Sequence, residues 1–298
     1  MFRSFLKSFS YITQQDTSEE VLLSLGKLLV NQQSNIKSDC LSDYEFKIFS
    51  QFGDDGIIQH LIKNIKIKNR IFIEFGVEDF QESNTRFLLM NNNWSGFIMD
   101  ASEGAMKAVK ANSWFWKYDL RCQSAFITKE NINSLIQQSG FEEIGLLHVD
   151  IDGNDYWINK ELDLSKISPA IIILEYNSVF GRERAVTIPY QANFYRFNAH
   201  YSGLYWGASL KALTLLMRER GYSLIGSNSA GNNAYFVRND LLTETITAKP
   251  IEAVYVESKY RESRNEKGQL SFLRGKERLS LIKGLPVINT ENMKEEFL

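Results

Sequence analysis

The chain alternates short apolar runs that end near an acid with stretches of helical spacing. Residues 70–75 (RIFIEF), 94–100 (WSGFIMD), 145–149 (GLLHV) and 169–175 (PAIIILE) have strand length and little polar interruption. Runs of this kind are strands of a sheet buried on both faces. Each hands a carboxylate to the polar segment after it: Glu74, Asp100, Asp150 and Glu175. Between them, Ile57, Ile58, Leu61 and Ile62, then Phe87 to Met90, then residues 102–111 keep helical spacing. The alternation predicts a doubly wound, mostly parallel α/β sheet. A third strand is expected before Asp119, which puts Asp119 and the turn holding Thr128 at the same edge as the acids. Ligands of such sheets bind outside the carboxyl ends of the strands, so that edge is the expected site.

The flanks read differently. Val21, Leu22, Leu25, Leu28 and Leu29 form a helical stripe within an N-terminal extension, residues 1–44, suited to packing or to pairing with a second copy. The main domain spans 45–242. Inside it, residues 178–207 form a long insertion rich in aromatics and arginines, the composition of a substrate lid. Residues 243–298 read as an appendage that wraps the core or a partner subunit, with no chemistry of its own. With 298 residues the chain can bury a large core, and its formal net charge of −2 offers nothing to nucleic acid or an anionic membrane. Its two cysteines, Cys40 and Cys122, lack metal spacing, and no apolar run has membrane-spanning length. These features predict a cytoplasmic protein.

Residues 150–155 (DIDGND) concentrate the candidate chemistry. Asp150 and Asp152, at i and i+2 of an extended segment, point the same way and could share a divalent cation. The bland alternative is a solvated turn with Gly153 at positive φ. A DxD pair also serves metal-dependent glycosyltransferases, which hold a nucleotide diphosphate through Mn²⁺. After the apolar run 171–174, Glu175 and Asn177 reach the same edge. The single Gly76 after the first strand allows close backbone approach, and Glu74 can hold a cationic or hydroxyl group. In the insertion, Tyr190, Tyr195 and Tyr205 suit the faces and hydroxyls of a sugar, and Arg182 and Arg196 suit an anionic group. His200 is the expected general base, whereas His148, inside a strand, reads as a satisfied core histidine.

The segments FIEFGVEDFQESNTRFLL, GFIMDAS and LLHVDIDGNDYWI, with the tail GASLKALTLLMRERGYSLIGSNSAGNNAYFVRNDL, together resemble class I S-adenosylmethionine-dependent methyltransferases of the FkbM-like branch. The resemblance spans roughly residues 50–240 and implies a seven-stranded, Rossmann-like sheet closed by a C-terminal antiparallel hairpin. It implies that Glu74 and Gly76 lie by the methionine part of the cofactor, Asp100 on its ribose hydroxyls, and the region of Asp119 or Thr128 near its adenine. Asn84, Ser102 and Asp150 complete the expected cofactor contacts. A second resemblance, to macrocin- and catechol-type O-methyltransferases, implies Mg²⁺ or Mn²⁺ on Asp150, Asp152, Glu175 and Asn177. The expected activity is O-methylation of a sugar-like or other small-molecule or glycan acceptor. The alternatives are the glycosyltransferase and a non-catalytic cofactor-binding protein.

Overall fold

The computed structural model describes residues 2–298, with side chains from residue 17 onward. The chain opens with α1 (Phe2–Gln33) and α2 (Asp54–Asn64), then alternates through β1 (Ile71–Phe75), α3 (Arg86–Asn92), β2 (Ser95–Asp100) and α4 (Glu103–Ala111). It continues with β3 (Leu120–Ser124), α5 (Ile132–Ser139), β4 (Leu146–Val149), α6 (Asp155–Glu161), α7 (Leu164–Ile167) and β5 (Ile171–Glu175). The insertion carries β6 (Val186–Thr187) and α8 (Arg196–Ala199), after which come α9 (Leu210–Glu219), β7 (Tyr222–Ser227) and β8 (Asn233–Arg238). The tail adds α10 (Ile251–Val254), α11 (Gly275–Leu281), β9 (Pro286–Asn289) and β10 (Lys294–Phe297).

Seven strands form one sheet in the order β3-β2-β1-β4-β5-β8-β7. The first five are parallel, and β8 runs antiparallel to β5 and β7. The doubly wound sheet and its closing hairpin are therefore present as the sequence pattern predicts. Alternate residues divide the core between the two faces: Ile73, Phe97, Leu147 and Ile172 on one side, Phe72, Ile98, Leu146 and Ile171 on the other. Strand order reverses between β1 and β4, the switch point where such sheets open a crevice.

One expectation needs correction. The third strand follows Asp119 instead of preceding it, because residues 115–117 turn in a 3-10 helix and the edge strand is the more polar LRCQS. The N-terminal helix extends on both sides of the predicted stripe, from Phe2 to Gln33. The appendage packs on the main domain through the insertion: β9 pairs with β10 and with β6. Phe180, Val186, Ile188, Leu204 and Tyr205 share a small core with Ile282 and Val287. Among the described residues, no helix is long and apolar enough to cross a membrane.

α1 docks through Leu22, Leu23, Leu29 and Val30 onto Ile48, Phe49 and Phe87. The rest of its stripe, Val21, Leu25 and Leu28, is exposed. A partly buried ion pair reinforces the dock: the buried Arg86 Nη2 lies 2.6 Å from Glu19 Oε1, with its guanidinium 4.3 Å from the Phe49 ring centre. Removing one partner of such a pair strands the other charge. Glu19→Ala is expected to cost about 3–5 kcal/mol in urea denaturation. A loss below about 1 kcal/mol would mean the pair behaves as a surface contact.

Candidate functional site

Register builds the site. Phe75 pairs with Met99 of β2 and with Val149 of β4, and Val149 pairs with Leu174 of β5. One residue further on, the four adjacent strands present Asp100, Gly76, Asp150 and Glu175 in a row along the carboxyl edge. Gly76 has φ +74°, and a Cβ there would lie 1.6 Å from the Asp150 carbonyl oxygen. The glycine is thus demanded by the main chain of the β4 end, a closer constraint than the approach of any ligand.

Asp150, Asp152 and Glu175 can each bring one carboxylate oxygen within 4.8 Å of the others. Asp152 reaches the group because its backbone adopts the left-handed region, φ +56°. Asp155 holds this turn, accepting hydrogen bonds from Ile151 N at 3.0 Å and Gly153 N at 2.9 Å. Burial, and then the Asp152 charge, pushes the Asp150 carboxyl up to about 7. Burial and the Asp150 charge raise Glu175 well above the ordinary carboxylate range. Glu175 is 8% exposed, and its Oε2 is buried with no hydrogen-bond partner. Crowded hard oxygens with one orphaned atom are the donor set of a divalent cation. The residues fit such an ion.

Asn177 does not face this cluster. Its Nδ2 donates to the carbonyls of Leu204 and Trp206, both at 2.9 Å, and its Oδ1 accepts from Val179 N at 3.0 Å. Two positions beyond Glu175, it serves as the clamp that fixes the base of the insertion.

Glu74 is enclosed. Its oxygens accept from Ser83 Oγ (2.6 Å), Thr85 Oγ1 and Asn84 N (3.0 Å), and His148 Nδ1 lies at 2.8 Å. Burial opposes its charge, yet the His148 contact and the two hydroxyls outweigh burial and hold the carboxyl below its usual value. Burial likewise disfavours the charged His148 ring, but Glu74 raises it overall. The Asn84 amide lies 3.2 Å from His148 Nε2. This buried network shapes the loop after β1, and His148 is the satisfied core histidine of the sequence reading.

Asp100 accepts from Glu78 N at 2.9 Å and Ser102 N at 2.7 Å, joining the loop after β1 to the start of α4. Ser102 caps that helix by accepting from Ala105 N at 3.1 Å. Thr128 stands at the carboxyl edge, in the turn that Asn131 closes at 2.8 Å. Asp119 stands at the opposite edge, where its carbonyl accepts from Gly96 N. That placement removes it from the row of acids.

The insertion is clamped over the DIDGND turn. Asn154 Nδ2 donates to Gln191 O, Trp157 Nε1 to Ile188 O and Gly207 N to Gly153 O. A Cβ on Gly153 would meet the Phe194 ring at 2.2 Å. Tyr190 reaches across to Glu130 Oε2 at 2.6 Å, beside Thr128. Tyr195 is 57% exposed, whereas Tyr205 is buried and bonded to the Pro286 carbonyl, a packing role. Arg182 pairs with its neighbour Glu183. The His200 ring contacts Ser202 Oγ at 2.7 Å and packs on Tyr201, with no hydrogen bond to the acids. Burial alone lowers its pKa.

Arg196 lies over the cluster, 3.0 Å from Asp152 and 3.2 Å from Glu262. Glu262 comes from the appendage, where sequence reading expected no chemistry. Tyr260, two residues earlier, stacks on Phe52 with ring centres 5.8 Å apart. Neither residue sits in a motif, so only the fold reveals them.

No family model and no curated protein matches the chain. Among solved structures it is similar to an O-methyltransferase from Bacillus cereus in complex with SAH, at 14% identity and TM-score 0.41, over 74% of this chain and 91% of that one. A SAM-dependent methyltransferase from Aquifex aeolicus overlaps 61% of this chain and 88% of its own, at 8% identity and TM-score 0.36. A precorrin-6y C5,15-methyltransferase from Geobacter metallireducens overlaps 65% and 90%, at 10% and 0.33. Overlaps this loose say nothing of chemistry, and the fold stands on its own strand order.

Proposed function

We propose that the protein is an S-adenosylmethionine-dependent O-methyltransferase of the FkbM-like kind, assisted by Mg²⁺ or Mn²⁺ and acting on a hydroxyl of a sugar-like acceptor. The row of Asp100, Gly76, Asp150 and Glu175 at the switch point carries this reading. In this reading Asp100 accepts from a ribose diol while keeping its loop contacts, with Thr128 on the adenine side. Asp150, Asp152 and Glu175 would hold the cation. A divalent ion there supplies Lewis acidity that makes an acceptor hydroxyl acidic near neutral pH. Methyl transfer is an in-line displacement, so positioning and removal of the acceptor proton are what the chain must provide. The acids take that role in place of His200, whose ring is engaged elsewhere. Tyr195, exposed on the insertion, offers an aromatic face to the acceptor, and the clamped insertion limits access of water.

Calorimetry with S-adenosylhomocysteine tests the cofactor. Asp100→Ala should weaken binding about 10- to 100-fold, the value of a charge-assisted contact. Equal affinity in the variant, or no heat with the wild type, would remove the assignment. Binding of a UDP-sugar instead would favour the glycosyltransferase.

A further inference from the structure

We infer that Arg278, in the appendage, forms an anion subsite beside the acid cluster, taking a compact oxyanion such as a carboxylate or phosphate. Arg278 is only 5% exposed. Its guanidinium donates to Ser258 Oγ and lies 6.0 Å from the Tyr260 ring centre. Its Nε has no hydrogen-bond partner. Among the described residues it makes no ion pair, unlike Arg86 with Glu19 and Arg196 with Asp152 and Glu262. Arg220, the other arginine with its charge largely enclosed, spreads it over the carbonyls of Asn159, Lys160 and Leu162. The carboxylates of Glu257 and Glu262 act on this charge only from beyond ion-pair distance, and the buried Nε donor stays unsatisfied. A buried donor left open in this way calls for a partner that a bound ion can supply.

Its position gives the ligand a place. Ser258 N donates to Ser178 Oγ at 3.0 Å, and Tyr255 OH donates to Ser178 O at 2.7 Å. Tyr176 OH donates to Val256 O at 2.7 Å. The segment that carries Ser258, the hydrogen-bond partner of Arg278, is therefore pinned to the residues that follow Glu175. On its other side, Tyr260 and Glu262 lead to Arg196 and the cluster. A planar fork two hydrogen-bonded steps from the end of β5 suits bidentate recognition of an oxyanion. Two sources share that chemistry: an anionic group on the acceptor, and the amino-acid carboxylate of the cofactor. The choice of sources rests on the proposed methyltransferase reading; the anion subsite rests on Arg278 itself.

The test is calorimetry of the full-length protein with inorganic phosphate, for wild type and Arg278→Met, each with and without saturating S-adenosylhomocysteine. Phosphate should bind Arg278→Met at least about tenfold more weakly, the loss of one charge-assisted contact. The melting temperature without ligand should hold or rise, since an unpaired buried charge is gone. If the cofactor leaves phosphate binding intact, the acceptor is the source. If it displaces phosphate, and the variant also binds the cofactor more weakly, the source is the cofactor carboxylate. Equal affinity of both proteins for phosphate and for the cofactor overturns the subsite. A lower melting temperature with both affinities unchanged also overturns it, since Arg278 would then be a packing residue. Should the methionine variant fail to fold, Arg278→Gln gives the same readouts. Failure of the wild type to bind S-adenosylhomocysteine would sink the methyltransferase reading, and the phosphate comparison would still decide Arg278.

Discussion

Glu175→Gln should lose Mn²⁺ binding and gain thermal stability in the metal-free protein. The two effects have one cause. In the free cluster, burial and mutual repulsion raise both Asp150 and Glu175. Above the raised pKa values, ionising both acids costs stability. An amide of the same shape removes one charge and so relieves the apo protein. It also removes a charged ligand that a cation needs. Loss of even an outer-shell partner costs 10- to 100-fold in metal affinity, so loss of a direct ligand should cost about 100-fold or more. Mn²⁺ titration followed by electron paramagnetic resonance, and melting in EDTA, read the two effects separately. In assays, EDTA should abolish methyl transfer and Mg²⁺ or Mn²⁺ should restore it, while S-adenosylhomocysteine binding persists. Wild-type turnover that survives exhaustive chelation would return proton removal to an unassisted side chain. A Gln variant that melts lower and binds Mn²⁺ unchanged would make Glu175 a structural acid.

Gly76→Ala should damage fold and site together. The position sits at φ +74°, and the added Cβ would lie 1.6 Å from the Asp150 carbonyl oxygen. The left-handed backbone alone costs about 1–2 kcal/mol for a residue with a side chain. The contact cannot be relieved by a rotamer change, because the obstructing atom is main chain. The ends of β1 and β4 must therefore separate, which shifts Asp150 relative to Glu175, its neighbour on β5. The melting temperature should fall by several degrees, at about 2–4 °C per kcal/mol for a domain of this size. Affinity for Mn²⁺ should fall with it. An alanine variant that melts normally and binds Mn²⁺ at wild-type strength would show that the two strand ends can part without moving the acids.

The neighbouring glycine at 153 teaches the same lesson about reading loops. In the sequence, DIDGND reads first as a cation site, with a solvated turn as the bland alternative. The structure uses it for both ends: Asp152 and Asp150 turn toward Glu175, while Gly153 and Asn154 receive the insertion. The resemblance to macrocin- and catechol-type O-methyltransferases implied Asn177 as a ligand, and in a continuing strand the alternation of side chains would set it on the face of Glu175. The chain leaves the strand at Glu175, so that periodicity no longer applies, and its amide turns to Leu204 and Trp206.

The sequence by itself determined the sheet and its four acid-bearing strands, because burial on both faces writes itself as unbroken apolar runs, while the closing hairpin came with the family resemblance. It also determined the close pair Asp150 and Asp152, which are neighbours in the chain. It misjudged β3, whose edge position relaxes the apolar pattern and let Asp119 be set on the wrong side of its strand. Only the tertiary structure decided that Glu74 is consumed by Ser83, Asn84, Thr85 and His148, since those partners lie up to 74 positions away. Only it brought Glu262 to Arg196 and Arg278 to Ser258 and Tyr260. Those contacts join segments far apart in sequence, and a charge on an irregular segment carries no period by which its partner could be found.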